Sequence, residues 1–120
     1  MSAPQKILVT GASGYVGGRL VRTLVDENLD VRILVRDRNK VKGQPWANAV
    51  EISEGSAENR ADLDAALAGV HTAYYLLHSI NLGPNFHDIE AEMARNFAQA
   101  AQAAGVAQIV ISAVSQMMSI

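Results

Sequence analysis

The sequence predicts an α/β fold: a doubly wound parallel sheet of about five strands, in the order 3-2-1-4-5. Three observations predict it. Short β-branched runs alternate with longer amphipathic stretches along the chain. Three glycines stand three residues apart where the first run meets the first amphipathic stretch. The composition, 49% apolar and 18% charged over 120 residues, is that of one globular domain spanning residues 1–120. Strands separated by helices need crossovers, and crossovers make a parallel sheet covered on both faces. Right-handed crossovers place a switch point between strands one and four.

The elements follow in order. Residues 6–10 (Lys-Ile-Leu-Val-Thr) form a buried strand that ends at Gly11. Residues 15–28 carry Val16, Leu20, Leu24 and Val25 on one stripe and read as a helix. Residues 31–35 are the second strand. Residues 36–47 are polar, hold Gly43 and Pro45, and read as a loop with room for one helical turn. A weaker third strand covers 49–53. A helix over 62–68 has Leu63 and Leu67 one turn apart and Gly69 as its stop. The aromatic run 72–77 is the fourth strand, and 78–84 is a loop. Residues 85–104 form the longest helix, with Phe86, Ile89, Met93, Phe97 and Ala101 as its buried stripe and Gly105 at its end. A fifth strand covers 108–114. Tyr74 and Tyr75 alternate across the sheet, so one packs under each helix layer.

Composition removes several function classes. A net charge of -2 builds no positive face for nucleic acid. The densest basic stretch, Arg32 to Lys42, reads better as a phosphate-contacting loop. Without cysteine there is no disulfide, thiolate nucleophile or cysteine-ligated zinc. His71, His78 and His87 lack zinc-site spacing, so no metal is expected. No apolar run approaches the ~20 residues of a membrane span. Residues 1–5 lack the features of a signal peptide, so the cytoplasm is the expected location.

The chemistry concentrates at Gly11-Ala12-Ser13-Gly14-Tyr15-Val16-Gly17. Gly11 lets the chain turn sharply off the strand. Gly14 lets the backbone approach a pyrophosphate, and Gly17 lets the helix pack closely on the sheet. The start of the helix then presents unsatisfied N–H groups and partial positive charge to the phosphates. Ser13 reads as a hydroxyl donor to a phosphate. A P-loop fails because no Gly-Lys-Ser/Thr follows, and a nucleophile elbow fails because position 15 is Tyr. This corner therefore predicts a Rossmann-type NAD(P) site. At the end of strand two stand Arg36 and Asp37. A guanidinium suits the 2′-phosphate of NADP, whereas the acid could instead take the ribose of NAD. NADP is favoured because the arginine comes first.

The residues at 10–17, Thr-Gly-Ala-Ser-Gly-Tyr-Val-Gly, resemble the glycine motif of extended and atypical short-chain dehydrogenases/reductases. Val31 to Asp37, Ala73 to Ser79, and Gly105 to Val110 after the Ala-rich helix are similar to the NmrA-like, NAD(P)H-binding branch. The resemblance covers residues 6 to 114. It implies contacts near the adenine from Ser56, where the family often has an acid, and from Ala57. It implies contacts on the nicotinamide side from Leu76, Leu77 and His78. Ser112 or Ser115 matches the place where the family often carries a catalytic Ser/Thr.

The chain departs from the family in two respects. None of Tyr15, Tyr74 and Tyr75 has a lysine four places on, so the family's Tyr-x-x-x-Lys proton-donor pair is not in this chain. The family's sixth strand and C-terminal substrate region are expected to be missing as well, as in an N-terminal piece of such a protein. Three readings follow. The first is the cofactor-binding domain of an oxidoreductase acting on an unidentified small molecule. The second is a non-catalytic NAD(P)-sensing protein, and the third an inactive truncated fragment. Strand five would then be an exposed edge open to self-association.

Overall fold

The computed structural model describes residues 5–11, 15–77 and 86–113. Among them run β1 (Lys6–Thr10), α1 (Tyr15–Asp26), β2 (Asp30–Val35), β3 (Glu51–Glu54), α2 (Arg60–Leu67), β4 (Val70–Leu77), α3 (Phe86–Ala103) and β5 (Gln108–Ala113). All neighbouring strands are parallel, in the order β3-β2-β1-β4-β5, which is the expected doubly wound sheet.

Alternation along the strands sorts the core into two layers. On the α1 face, Val9, Val31, Ile33, Val35 and Leu76 pack with Val21 and Leu24. On the other face, Leu8, Leu34, Ala73 and Tyr75 meet Leu63 and Leu67 of α2 and Phe97, Ala100 and Ala101 of α3. Tyr74 packs on the first layer and Tyr75 in the second, as expected. The Tyr75 ring stacks on that of Phe97 with centroids 4.6 Å apart. On α1 the most buried line runs through Gly17, Val21 and Leu24. Val16, Leu20 and Val25 flank that line, only partly buried. The apolar stripe is thus centred about one residue away from the expected one.

The β2–β3 crossover differs most from expectation. It holds two 3-10 turns, Arg38–Lys40 and Ala47–Ala49, rather than one helical turn. It is also not simply a polar loop, because Val41 and Trp46 are buried in the α1-side core. These anchors let a loop cover the sheet where a doubly wound fold usually sets a helix. They also delay β3, so Ala49 lies in a turn and pairing starts at Glu51 opposite Arg32.

Helix ends follow local chemistry. Asn28, with φ of 62°, closes α1: its N–H reaches Val25 O and the Leu29 N–H reaches Leu24 O. This paired C-terminal closure stops α1 at Asp26, two residues before the expected end. The Asn59 side chain accepts from the Asp62 N–H, so α2 begins at Arg60 rather than 62. β5 lies at one edge of the sheet, with Ile111 exposed.

The N-terminal edge of the sheet carries an ionic cluster. Lys6 lies 2.7 Å from Glu51 and 3.4 Å from Asp30. Hydrogen bonds from Lys6, then Arg32, hold the Glu51 carboxyl below the usual carboxylate value, and the bond to Glu51 raises the Lys6 ammonium. Arg32 belongs to this edge and not to a phosphate loop, which corrects its grouping with Lys42. Its Nη1 donates to Ala66 O at 2.7 Å and Ala68 O at 2.8 Å, and its Nε to Glu51 at 2.9 Å. It thus satisfies carbonyls at the C-terminus of α2, where a cation is favoured. Arg32→Met keeps most of the apolar stem but strands those carbonyls. The expected loss of stability is about 1.5–3 kcal/mol, read as a lower urea midpoint with an unchanged slope.

Candidate functional site

In a parallel sheet all strand C-termini open on one edge. The crevice there, between β1 and β4, is where an open α/β sheet takes a ligand. This chain brings to that edge Thr10 and Gly11 from β1, Arg36 and Asp37 from β2, Gly55 to Glu58 from β3, Leu76 and Leu77 from β4 and Ser112 from β5.

The switch point is tightly built. Thr10 is buried, and its hydroxyl donates to Tyr74 O at 3.2 Å, tying β1 to β4. Gly11 follows with φ of +81°, a left-handed backbone that suits glycine. A Cβ there would lie 3.3 Å from the Leu76 Cβ. A glycine therefore ends β1 where its backbone lies close against Leu76 of β4. Leu76, expected beside the nicotinamide, is buried in the α1-side core and forms the floor of the crevice. Beyond the turn, α1 starts at Tyr15 with no acid in its first turn. Val16 and Gly17 lie in that turn, and Gly17 is buried. Ala12, Ser13 and Gly14 lie outside the described residues, as do His78 and Ser115. Ser112 stands opposite Leu76 in the β4–β5 register, and Ala113 opposite Leu77.

At the end of β2, Arg36 and Asp37 have separate duties. The Asp37 carboxylate accepts from the Asn39 N–H at 2.9 Å and caps the first 3-10 turn. Arg36 is largely exposed, and its Nη2 lies 3.4 Å from Glu58 Oε2. Arg38 is held to Glu54 by its backbone N–H at 3.0 Å and its Nε at 3.5 Å.

The turn after β3 contains residues that sequence reasoning missed. Gly55 donates its N–H to Val35 O at 2.8 Å, stitching this turn to the end of β2. A Cβ on Gly55 would lie 2.7 Å from Asp62 Cγ. Asp62 in turn accepts the Ser56 N–H at 3.0 Å. The Ser56 hydroxyl accepts the Glu58 N–H at 3.1 Å, and Ala57 packs on the α2–α3 core. Ser56 and Ala57 therefore reach the expected edge, but Ser56 already has two duties in shaping the turn. A glycine after a strand, with Asn59 and Asp62 at capping spacing, was the available signal.

The set suits a dinucleotide. A left-handed glycine ends β1 at the switch point, the following helix has no acid in its first turn, and an exposed guanidinium stands at the next strand end. Among the described residues no group of His, Asp and Glu is placed to hold a metal ion. No described helix is long and apolar enough to cross a membrane.

The NmrA-like family model matches residues 3–120. The chain is 30% identical over 118 residues to 3-beta-hydroxysteroid dehydrogenase of Mycolicibacterium neoaurum, covering 90% of this chain and 31% of that protein. It is 39% identical over 106 residues to the (4-alkanoyl-5-oxo-2,5-dihydrofuran-3-yl)methyl phosphate reductase of Streptomyces griseus subsp. griseus, covering 87% and 33%. Citrobacter sp. triphenylmethane reductase, complexed with NADP(H), superposes with a TM-score of 0.71 at 26% identity, over 88% of this chain and 36% of that one. A short-chain dehydrogenase/reductase superfamily protein from Agrobacterium tumefaciens with bound NAD gives 0.70 at 30% identity, over 89% and 32%. The chain spans about a third of the length of the curated relatives it matches.

Proposed function

Because the chain belongs to the NmrA-like family, we propose that it is the NAD(P)-binding domain of a reductase of the short-chain dehydrogenase/reductase type. The observation that carries this reading is the β1–α1 corner, where Gly11 takes a left-handed backbone against Leu76 at the switch point. The pyrophosphate would lie on the amides from Gly11 through Gly17, with the Ser13 hydroxyl as a further donor. The adenosine half would lie across the ends of β2 and β3, near Arg36, Ser56 and Ala57. The nicotinamide half would lie towards β4 and β5, near Leu77, His78 and Ser112 or Ser115. When bound, the cofactor supplies hydride transfer, and this chain orients it and shields it from water.

NADP is the preferred cofactor in this reading. Asp37 is occupied as a cap, while Arg36 is exposed and, among the described residues, meets Glu58 at 3.4 Å. Titrating NADP and NAD into the protein by calorimetry tests it. Arg36→Ala is expected to weaken NADP by about tenfold or more, the loss of a charge-assisted contact, and to leave NAD almost unchanged. Equal losses for both cofactors would reject the 2′-phosphate assignment.

A second reading, a dinucleotide-sensing protein without turnover, draws on the tyrosines. Tyr75 is buried in a ring stack and Tyr74 packs on the opposite core layer, so neither is placed as a proton donor. Steady oxidation of NADPH by the protein in the presence of quinone, dye or steroid acceptors would decide for the reductase.

A further inference from the structure

We infer that Glu58 is a specificity-determining residue of the dinucleotide site: its carboxylate holds the Arg36 guanidinium in the place a 2′-phosphate would take, and so selectively weakens NADP. The inference rests on the NADP reading above and adds to it a competitor built into the fold.

The competitor is fixed by its turn. β2 and β3 are parallel neighbours with Val35 opposite Glu54, so the chain leaves both strands side by side. The Gly55 N–H to Val35 O bond binds the second exit to the residue just before Arg36. From there each step of the turn is pinned. Ser56 N–H goes to Asp62, Glu58 N–H to the Ser56 hydroxyl, and Asn59 N–H to Ser56 O at 3.1 Å. The contact of Asp62 with the Gly55 position leaves no room for the turn to carry a side chain there. The backbone of Glu58 is thereby held beside the end of β2, which puts its carboxylate within reach of the Arg36 side chain.

The two arginines of this loop differ in the way this role requires. Arg38 is tied to Glu54 through both its backbone and its side chain. Arg36 meets Glu58 through one long contact of 3.4 Å, with side chains 73% and 60% exposed. A one-point pair between exposed groups is weak and is readily displaced. A phosphate dianion offers the guanidinium two parallel charge-assisted bonds and wins the exchange. The 2′-hydroxyl of NAD carries no charge and leaves the pair intact. Breaking the pair therefore burdens NADP alone.

Calorimetric titration of NADP and NAD into the full chain and into Glu58→Gln tests this. NADP is expected to tighten by about two- to fivefold, while NAD stays unchanged. The gain should shrink as salt is raised, because both groups are exposed. In an Arg36→Ala background, Glu58→Gln should no longer help NADP. Unchanged NADP affinity, or equal tightening of both cofactors, would overturn the inference while leaving the binding site standing. An undiminished gain without Arg36 would also overturn it, since Glu58 would then act without the pair. If neither dinucleotide binds to folded protein, with Glu58 or with Gln at 58, the dinucleotide reading falls and this inference falls with it.

Discussion

Phe97→Ala is expected to take away a large part of the stability of this domain. Phe97 is fully buried on the inner face of α3 and is the largest of the fully buried side chains among the described residues. It fills the space between Tyr75 on β4 and the α2 residues Leu63 and Leu67. Truncating a buried phenylalanine costs about 3–5 kcal/mol through lost transfer energy and the cavity left behind. That cost includes the lost ring stack on Tyr75, itself about 0.5–1.5 kcal/mol. The total is a large part of the ~5–15 kcal/mol that holds an ordinary domain folded. Alanine-rich α3 makes the site hard to collapse, because Ala100 and Ala101 cannot reach into the gap. Urea unfolding should show a sharply lower midpoint, and Phe97→Leu should recover much of it. A midpoint within error of the wild type would mean that α3 does not pack on the sheet through this residue.

The fold was legible because its signals are periodic and local. The β-branched runs gave the strands, and Phe97 and Ala101 marked the inner face of α3. The alternation of Tyr74 and Tyr75 followed from the pleat alone, and Gly105 closed α3 with a φ of +80° as a glycine stop should. What stayed illegible depends on distant partners. Nothing near Trp46 in the chain says that a polar loop will bury it under β2 and β3. Nothing near Arg32 says that its guanidinium will meet Ala66 and Ala68, more than thirty residues on. The same limit applies to the site. The glycine corner and Arg36 carry recognisable chemistry of their own. Glu58 does not: its meaning comes from the Gly55–Val35 bond that carries it to Arg36, and strand adjacency must be known first. Asp37 has a local use that its spacing from the glycines does not reveal: its carboxylate accepts the Asn39 N–H and caps the first 3-10 turn.

Gly11→Val should abolish binding of both dinucleotides, in contrast to the one-sided effect of Arg36→Ala. Two separate penalties meet at this position. A side chain at φ of +81° is strained, at about 1–3 kcal/mol for a non-glycine residue and more for a β-branched one. The new Cβ also presses on Leu76 at 3.3 Å, so either β4 or the turn must shift by a few tenths of an ångström. A shift of the turn moves the following amides, which are the groups proposed to receive the pyrophosphate common to NAD and NADP. The two penalties can be separated. Gly11→Ala keeps the backbone strain with the smallest side chain and should weaken binding less than valine. Adding Leu76→Gly removes the Cβ that the new side chain meets but not the φ strain, so it should restore binding only in part, with its own stability loss from the buried leucine. Circular dichroism and thermal unfolding report whether each variant remains folded, and titration of NAD and NADP reports the corner itself. A folded Gly11→Val protein that still bound either cofactor at wild-type affinity would show that the pyrophosphate lies somewhere other than this turn.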